Sequence, residues 1–400
     1  MNAKPKQQFA TRAVHAGERV PGGRYTPVVT PIHPSVGYLY ESMDEMDAVF
    51  AGSQAGYVYP RYASPTVSAL ETAVAVLEGA PAAHAFATGM AALHITLLAA
   101  GARAGSKVVA AFDLYGATFS LLRSLLAELN ISARFVDATN HGAVEIALVE
   151  TGASILLVET ISNPLLKIAD VPFLAELAHR FKAQLLVDNT FASPFLFNPL
   201  AQGADFSIHS ATKYLGGHGD VMAGVVATSS ENRQKMYELN KLVGSVLGPY
   251  EAWLALRGLK TLPLRVRQQC QNASMLAKWL QGHPKVQRVN YPGLESHPQH
   301  SLAGRLFEGR GYGGVLSFEI AGARKEEVFH FMEALELCLP AATLGDIYTL
   351  VLHPATSSHR GLTSAERSQI GIPDGLVRIS AGIEAGEDIL ADLEQALDKI

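Results

Sequence analysis

Several residues able to do chemistry stand at the ends of apolar runs. Asp188 closes the run Gln184-Leu185-Leu186-Val187. The run 205–209 leads into Ser210-Ala211-Thr212-Lys213-Tyr214 and then Leu215-Gly216-Gly217-His218-Gly219-Asp220. Glu159 ends a third run just before Asn163-Pro164, Thr88-Gly89-Met90 precedes a helical stretch, and Tyr115 follows the run 107–112. Singly, each has an ordinary reading. Asp188-Asn189-Thr190 makes a turn or helix cap, Lys213 a solvated lysine, Gly89 a tight turn. Gly216-Gly217-His218-Gly219 lacks the strand, turn and helix order of a dinucleotide fingerprint.

Together they match one chemistry. An aldehyde cofactor requires an amine nucleophile whose proton affinity can be lowered, and lysine supplies it. A pyridine nitrogen requires a carboxylate partner, so that the ring stays protonated and withdraws electrons; Asp188 at a strand end serves. A cofactor phosphate requires free N–H groups at a helix N-terminus and hydroxyls, which Gly89, Met90, Ser210 and Thr212 offer. Tyr115 supplies an aromatic face for the ring.

In an open α/β sheet, ligands lie beyond the carboxyl ends of the strands. The runs 107–112, 133–136, 154–159, 184–188, 205–209 and 223–227 read as strands, and 66–77, 90–100, 117–128 and 171–181 as helices. Ile155-Leu156-Leu157-Val158 suits a strand buried on both faces. The alternation predicts an α/β domain over 63–249, a mostly parallel sheet covered by helices. Residues 1–62 are rich in Pro, Gly and Tyr and predict an arm, extended over 21–62, with short helical stretches at most. After 249 the rhythm changes. A helical stretch at 250–280 that Pro263 kinks or breaks, strands at 314–320 and 376–380, and a helix at 386–399 predict a smaller α+β domain over 250–400.

Composition narrows the function. With 400 residues, 48% of them hydrophobic and 17% charged, the chain is globular and exceeds one ordinary core. A net charge of -5 without a basic run argues against nucleic acid and anionic membranes. No apolar stretch is long enough to span a bilayer, and residues 1–12 lack the apolar core of a signal peptide. Cys270 and Cys338 are the only cysteines and lack metal-ligand spacing, so a reduced cytoplasmic protein without a metal is expected. His353 and His359 flank Pro-Ala-Thr-Ser-Ser and read as loop residues rather than a ligand pair.

The run Ser210-Ala211-Thr212-Lys213-Tyr214-Leu215-Gly216-Gly217-His218 resembles the lysine signature of the Cys/Met metabolism (trans-sulfuration) family of pyridoxal-phosphate (PLP) enzymes. That family comprises cystathionine γ-synthase, the cystathionine γ- and β-lyases, methionine γ-lyase and the homoserine sulfhydrylases. Supporting matches are Tyr59-Pro60-Arg61-Tyr62-Ala63-Ser64-Pro65-Thr66 (Ser64 where the family has Asn), Thr88-Gly89-Met90-Ala91-Ala92, Asp113-Leu114-Tyr115-Gly116, Glu159-Thr160-Ile161-Ser162-Asn163-Pro164 and Leu376-Val377-Arg378-Ile379-Ser380-Ala381-Gly382-Ile383-Glu384. The resemblance runs from about residue 10 to the C-terminus. It implies the type I fold of PLP-dependent transferases, similar to aspartate aminotransferase. It also implies residue roles: Lys213 bonded to the cofactor and moving protons, Asp188 on the ring nitrogen, Asn163 by the phenolic oxygen. Tyr115 would stack on the ring and act as acid or base, while Gly89, Met90, Ser210 and Thr212 bind phosphate. Arg378 would grip the substrate α-carboxylate in a bidentate manner, with Thr343 and Tyr59 also at the substrate. Tyr59 and Arg61 would reach the cofactor of a neighbouring subunit, so the resemblance implies shared sites in a homotetramer, a dimer of dimers.

Within the family, elimination and replacement at the γ-carbon share their early steps and differ in whether water or a thiol finishes. Ala117 stands where methionine lyases carry Cys, within fitting flanks, and Asn240-Lys241 does not reproduce their Lys-Asp pair. Asp346 follows the methionine lyases and sulfhydrylases, and Tyr348 replaces the Glu of most cystathionine enzymes. The expectation is α,γ-elimination of methionine or a related γ-thioether to α-keto acid, ammonia and thiol. The alternatives are γ-replacement on an O-acyl-homoserine and cystathionine γ-lysis.

Overall fold

The computed structural model describes residues 7–19 and 25–400 and contains two sheets. Residues 1–6 and 20–24 of the predicted arm lie outside the described residues. The larger sheet is built from β1 (Ala82–Phe86), β2 (Lys107–Ala111), β3 (Ser132–Val136), β4 (Ile155–Glu159), β5 (Gln184–Asp188), β6 (Phe206–Ser210) and β7 (Gly224–Thr228), in the order β1-β7-β6-β5-β4-β2-β3. Only β7 runs against its neighbours; β6, β5, β4, β2 and β3 pair in parallel. Every β4 residue is buried, as expected of a strand covered by helices on both faces.

β1 has no counterpart in the sequence prediction. Its five residues, Ala82-Ala83-His84-Ala85-Phe86, have weak strand propensity, and their pairing with β7 makes them a strand. The predicted stretch 250–280 is two helices, Pro249–Leu259 and Leu262–Gln281. Pro263 does not break the chain from within: it occupies the first turn of the second helix, where its missing N–H leaves no bond unmade. The helix predicted at 117–128 widens into a π-turn at Leu121–Leu125, just past Tyr115.

The smaller sheet contains β8 (Val286–Asn290), β9 (Val315–Ile320), β10 (Leu339–Pro340), β11 (Leu350–Leu352) and β12 (Leu376–Ser380), in the order β10-β11-β12-β9-β8. Two hydrophobic cores result, and one helix serves both. In Leu262–Gln281, Leu262, Val266 and Cys270 belong to the core of the large sheet, whereas Ala273, Leu276 and Leu280 belong to that of the small one. Among its described residues the arm has two short helices, Phe9–His15 and Met43–Phe50; the second is capped by the Ser42 hydroxyl, which accepts the Glu45 N–H. Between and beyond them the arm exposes apolar side chains, with Leu39 fully exposed and Val28 73% exposed. Among the described residues no helix is long and apolar enough to cross a membrane.

Candidate active site

β4, β5 and β6 end side by side, which brings Glu159, Asp188 and Ser210 to one edge of the large sheet. There the structure gathers ten of the twelve residues singled out above around one cavity of about 440 Å³: Gly89, Met90, Tyr115, Asn163, Asp188, Ser210, Thr212, Lys213, Thr343 and Arg378.

One end suits an anion. The helix Gly89–Ala99 is capped by Thr88, whose hydroxyl accepts the Ala91 N–H, and its first backbone bond runs from Ala92 N–H to the Thr88 carbonyl. The Gly89 and Met90 N–H groups precede that bond and face the cavity rim, where the helix end is electropositive. Ser210 stands against them so closely that a Cβ on residue 89 would lie 2.8 Å from the Ser210 Cβ. Only glycine leaves that cradle open. The Thr212 hydroxyl accepts the Ala223 N–H at 3.0 Å, which fixes the loop between β6 and β7.

At the centre, the Lys213 ammonium donates to the Thr343 hydroxyl at 2.8 Å. Burial lowers the proton affinity of Lys213, and the Arg378 charge lowers it further, against the opposing Asp346. Arg378 rises from β12 and is itself buried. Its guanidinium donates to the Asn163 side-chain oxygen at 3.1 Å and to the Thr343 carbonyl at 2.9 Å, while its Nε is buried without a protein partner. A cationic group with an unmet donor beside a primary amine is a receptor for a carboxylate on an amino acid.

Asp188 lies on the other side. Its Oδ1 accepts the Thr190 N–H at 2.9 Å, and the Thr190 hydroxyl in turn accepts the Ser210 N–H, also at 2.9 Å. Burial raises the proton affinity of the Asp188 carboxyl; the Thr190 bonds and His209 work against that rise. A cationic ring nitrogen opposite would hold it ionised. Thr190 was not singled out from the sequence, although the Asp188-Asn189-Thr190 turn signal covers it. The residues therefore fit pyridoxal phosphate: an amine of lowered proton affinity, a carboxylate awaiting a cation, and a glycine cradle at a helix N-terminus.

Tyr59 and Arg61 are not brought to this cavity. The Arg61 guanidinium donates to the Lys241 carbonyl at 2.8 Å and lies over the rings of Tyr59 and Tyr62, 5.5 and 5.3 Å from their centroids. The residues weighed for reaction type also lie off it. Asn240 is buried against His84 and Ser245, and Lys241 sits over the rings of Tyr62 and Tyr237. Asp346 is buried beside Gly219, and Tyr348 is half-exposed. Instead, loop residues Ser357 and Ser358 and the apolar Ile161, Met222 and Leu344 complete the walls. Ile161 stands within the 159–164 motif, but no sequence signal assigned these five residues a role at the site, because long-range folding brings them there.

The chain is 41% identical over 398 residues to an L-methionine gamma-lyase from Fusobacterium nucleatum subsp. polymorphum, covering 99% of each chain. It is 43% identical over 351 residues to a cystathionine gamma-lyase from Bacillus subtilis (strain 168), covering 88% of this chain and 91% of that one. Its fold matches the crystal structure of cystathionine gamma synthase from Xanthomonas oryzae pv. oryzae with a TM-score of 0.91, at 36% identity over 98% of each chain. The profile of the Cys/Met metabolism PLP-dependent enzymes matches residues 10–398, and the chain belongs to that family.

Proposed function

We propose that this enzyme catalyses α,γ-elimination of methionine or a related γ-thioether, which with water gives an α-keto acid, ammonia and a thiol. The carrying observation is that Lys213 and Arg378 meet at Thr343, one through its hydroxyl and the other through its carbonyl. An α-amino acid whose carboxylate rests on Arg378 then presents its Cα to the Lys213 amine. Full-length similarity to L-methionine gamma-lyases supports the thioether, and so do the apolar Ile161, Met222 and Leu344.

Pyridoxal phosphate, when bound, supplies an electron sink for negative charge developing at Cα and then Cβ. The residues do the rest. Asp188 would keep the ring nitrogen charged, and Asn163 would hold the phenolic oxygen. Gly89, Met90, Ser210 and Thr212 would anchor the phosphate. Lys213 would take the proton from Cα and move it onward, helped by its lowered proton affinity. Tyr115 would cover the ring and donate a proton at the γ-sulfur. The similarity to a cystathionine gamma-lyase keeps cystathionine as the second substrate to test.

The working unit is a homo-oligomer, a dimer of dimers. Tyr59 and Arg61 lie away from their own cavity, on an arm whose apolar side chains face outward, and in that assembly they would reach the partner's cofactor. Two buried free thiols suit a cytoplasmic setting. The experiment is incubation of purified holoenzyme with methionine, cystathionine and O-acyl-homoserines, with and without added thiol. Keto acid from methionine without thiol is the expected result. Thioether formed from an acyl-homoserine, with little keto acid, would make the enzyme a γ-replacing transferase.

A further inference from the structure

Three carboxyl groups meet at this end of the sheet, and the reading above uses only Asp188. Asp113 lies just past β2 and Glu159 ends β4; both are buried. Glu159 is the register partner of Asp188 on the adjacent parallel strand, so their Cα atoms are neighbours across the ladder. One oxygen of Glu159, Oε1, accepts the Tyr115 backbone N–H at 2.7 Å. Its other oxygen, Oε2, is buried with no hydrogen-bond partner among the described residues, as is Oδ2 of Asp113.

Tyr115 needs such an anchor. Its residue is 44% exposed, and it precedes the helix Gly116–Ser120 with no side-chain cap bond. On the next residue the backbone is pressed from the other side: a Cβ on Gly116 would lie 2.0 Å from the Ser358 carbonyl oxygen. The backbone at 115–116 is thus clamped between Glu159 on β4 and the loop at Ser358. The ring's position over the cavity follows from that clamp.

We propose that Glu159 is the positioning residue for Tyr115, holding its ring over the cofactor through the backbone N–H rather than by contact with substrate. This rests on the reading of the cavity as the PLP site with Tyr115 over the ring. Burial, with the neighbouring Asp188 and Asp113 adding to it, holds the Glu159 carboxyl well above the usual range. Glu159 acts through the bond that its Oε1 accepts from the Tyr115 N–H.

The test compares E159Q, E159L and Y115A, and the double variant E159L/Y115A, as holoenzymes. Visible circular dichroism of the bound cofactor is read beside kcat and KM. E159L is expected to lose about 10- to 100-fold in kcat, the cost of a misplaced group, and to change the cofactor's dichroism. E159Q keeps an acceptor for the Tyr115 N–H and recovers most of that loss. In the Y115A background E159L adds little, because the two act as one unit. Additive losses in the double variant overturn the proposal. So does an E159Q enzyme that folds, binds cofactor and loses more than about tenfold, since charge would then be the operative property. E159Q carries this second arm even where E159L fails to fold. Wild-type enzyme lacking a cofactor band would instead overturn the reading of the site itself.

Discussion

Arg378 is buried yet cationic at neutral pH, because burial brings its pKa down only to about 10. Its fork is set by Asn163 and Thr343, an arrangement that a lysine cannot copy. R378K is therefore expected to lose one charge-assisted bond to the substrate carboxylate, ~1.5–3 kcal/mol, raising KM by about 10- to 150-fold. Steady-state kinetics check this, and an unchanged KM would remove Arg378 from the carboxylate site. Lys213 makes a second residue-scale prediction. Its pKa lies below the ordinary 10.5, so the neutral amine that captures the cofactor aldehyde becomes available at lower pH. Capture of PLP by the apoenzyme should quicken with rising pH and level off before 10.5; the growth of cofactor absorbance after mixing reports it. Lys213 was legible because its chemistry demands it just beyond a strand end, whereas Arg378, in the middle of β12, was legible only through the family resemblance. Glu159, Thr190 and Ser358 were not assigned roles, since their work is to hold backbone groups, and a backbone bond leaves no mark on residue type.

Among the elements, the helix Gly89–Ala99 depends most on a single atom. A methyl at Gly89 meets Ser210 at 2.8 Å and forces a shift at the phosphate cradle, a strain of about 1–3 kcal/mol. G89A should weaken PLP binding about 5- to 150-fold, read by titrating apoenzyme with cofactor, with little change in KM once loaded. The buried strands β4 and β5 were plain from their unbroken apolar runs, since a strand covered on both faces admits nothing else. β1 was invisible for the converse reason: alanines pack well in helix or strand, and β7 decides between them. Pro263 was read in part: the stretch does break beside it. A proline marks a boundary, but the sequence alone leaves open which side of the boundary it occupies.

For the whole molecule, the proposal of shared sites makes a sharp prediction. Neither K213A nor R61A should be active alone, whereas subunits mixed after dissociation should recover about one quarter of wild-type activity, because only mixed dimers assemble one intact site. No recovery would confine each site to its own chain. Acid stability follows from His297 and His359, whose pKa values burial lowers from 6.5 to about 4. The unfolded chain takes up their protons near 6.5 and the folded one near 4, so stability is full above 6.5 and falls as pH drops toward 4. From pH 6.5 to 5.5 the loss is roughly 1 kcal/mol per histidine. H359Q should flatten the decline of the thermal midpoint over this range, and an unaltered decline would exclude His359 as a source.

The helix Leu262–Gln281 donates one half of its buried face to each core. Neither core can melt without exposing residues of a rod that the other still grips, so heat should find no weak seam between the sheet that bears Lys213 and the one that bears Arg378. A calorimeter should record one endotherm where two domains on a flexible tether would give two. The spacing between amine and guanidinium is thereby held as firmly as the fold itself.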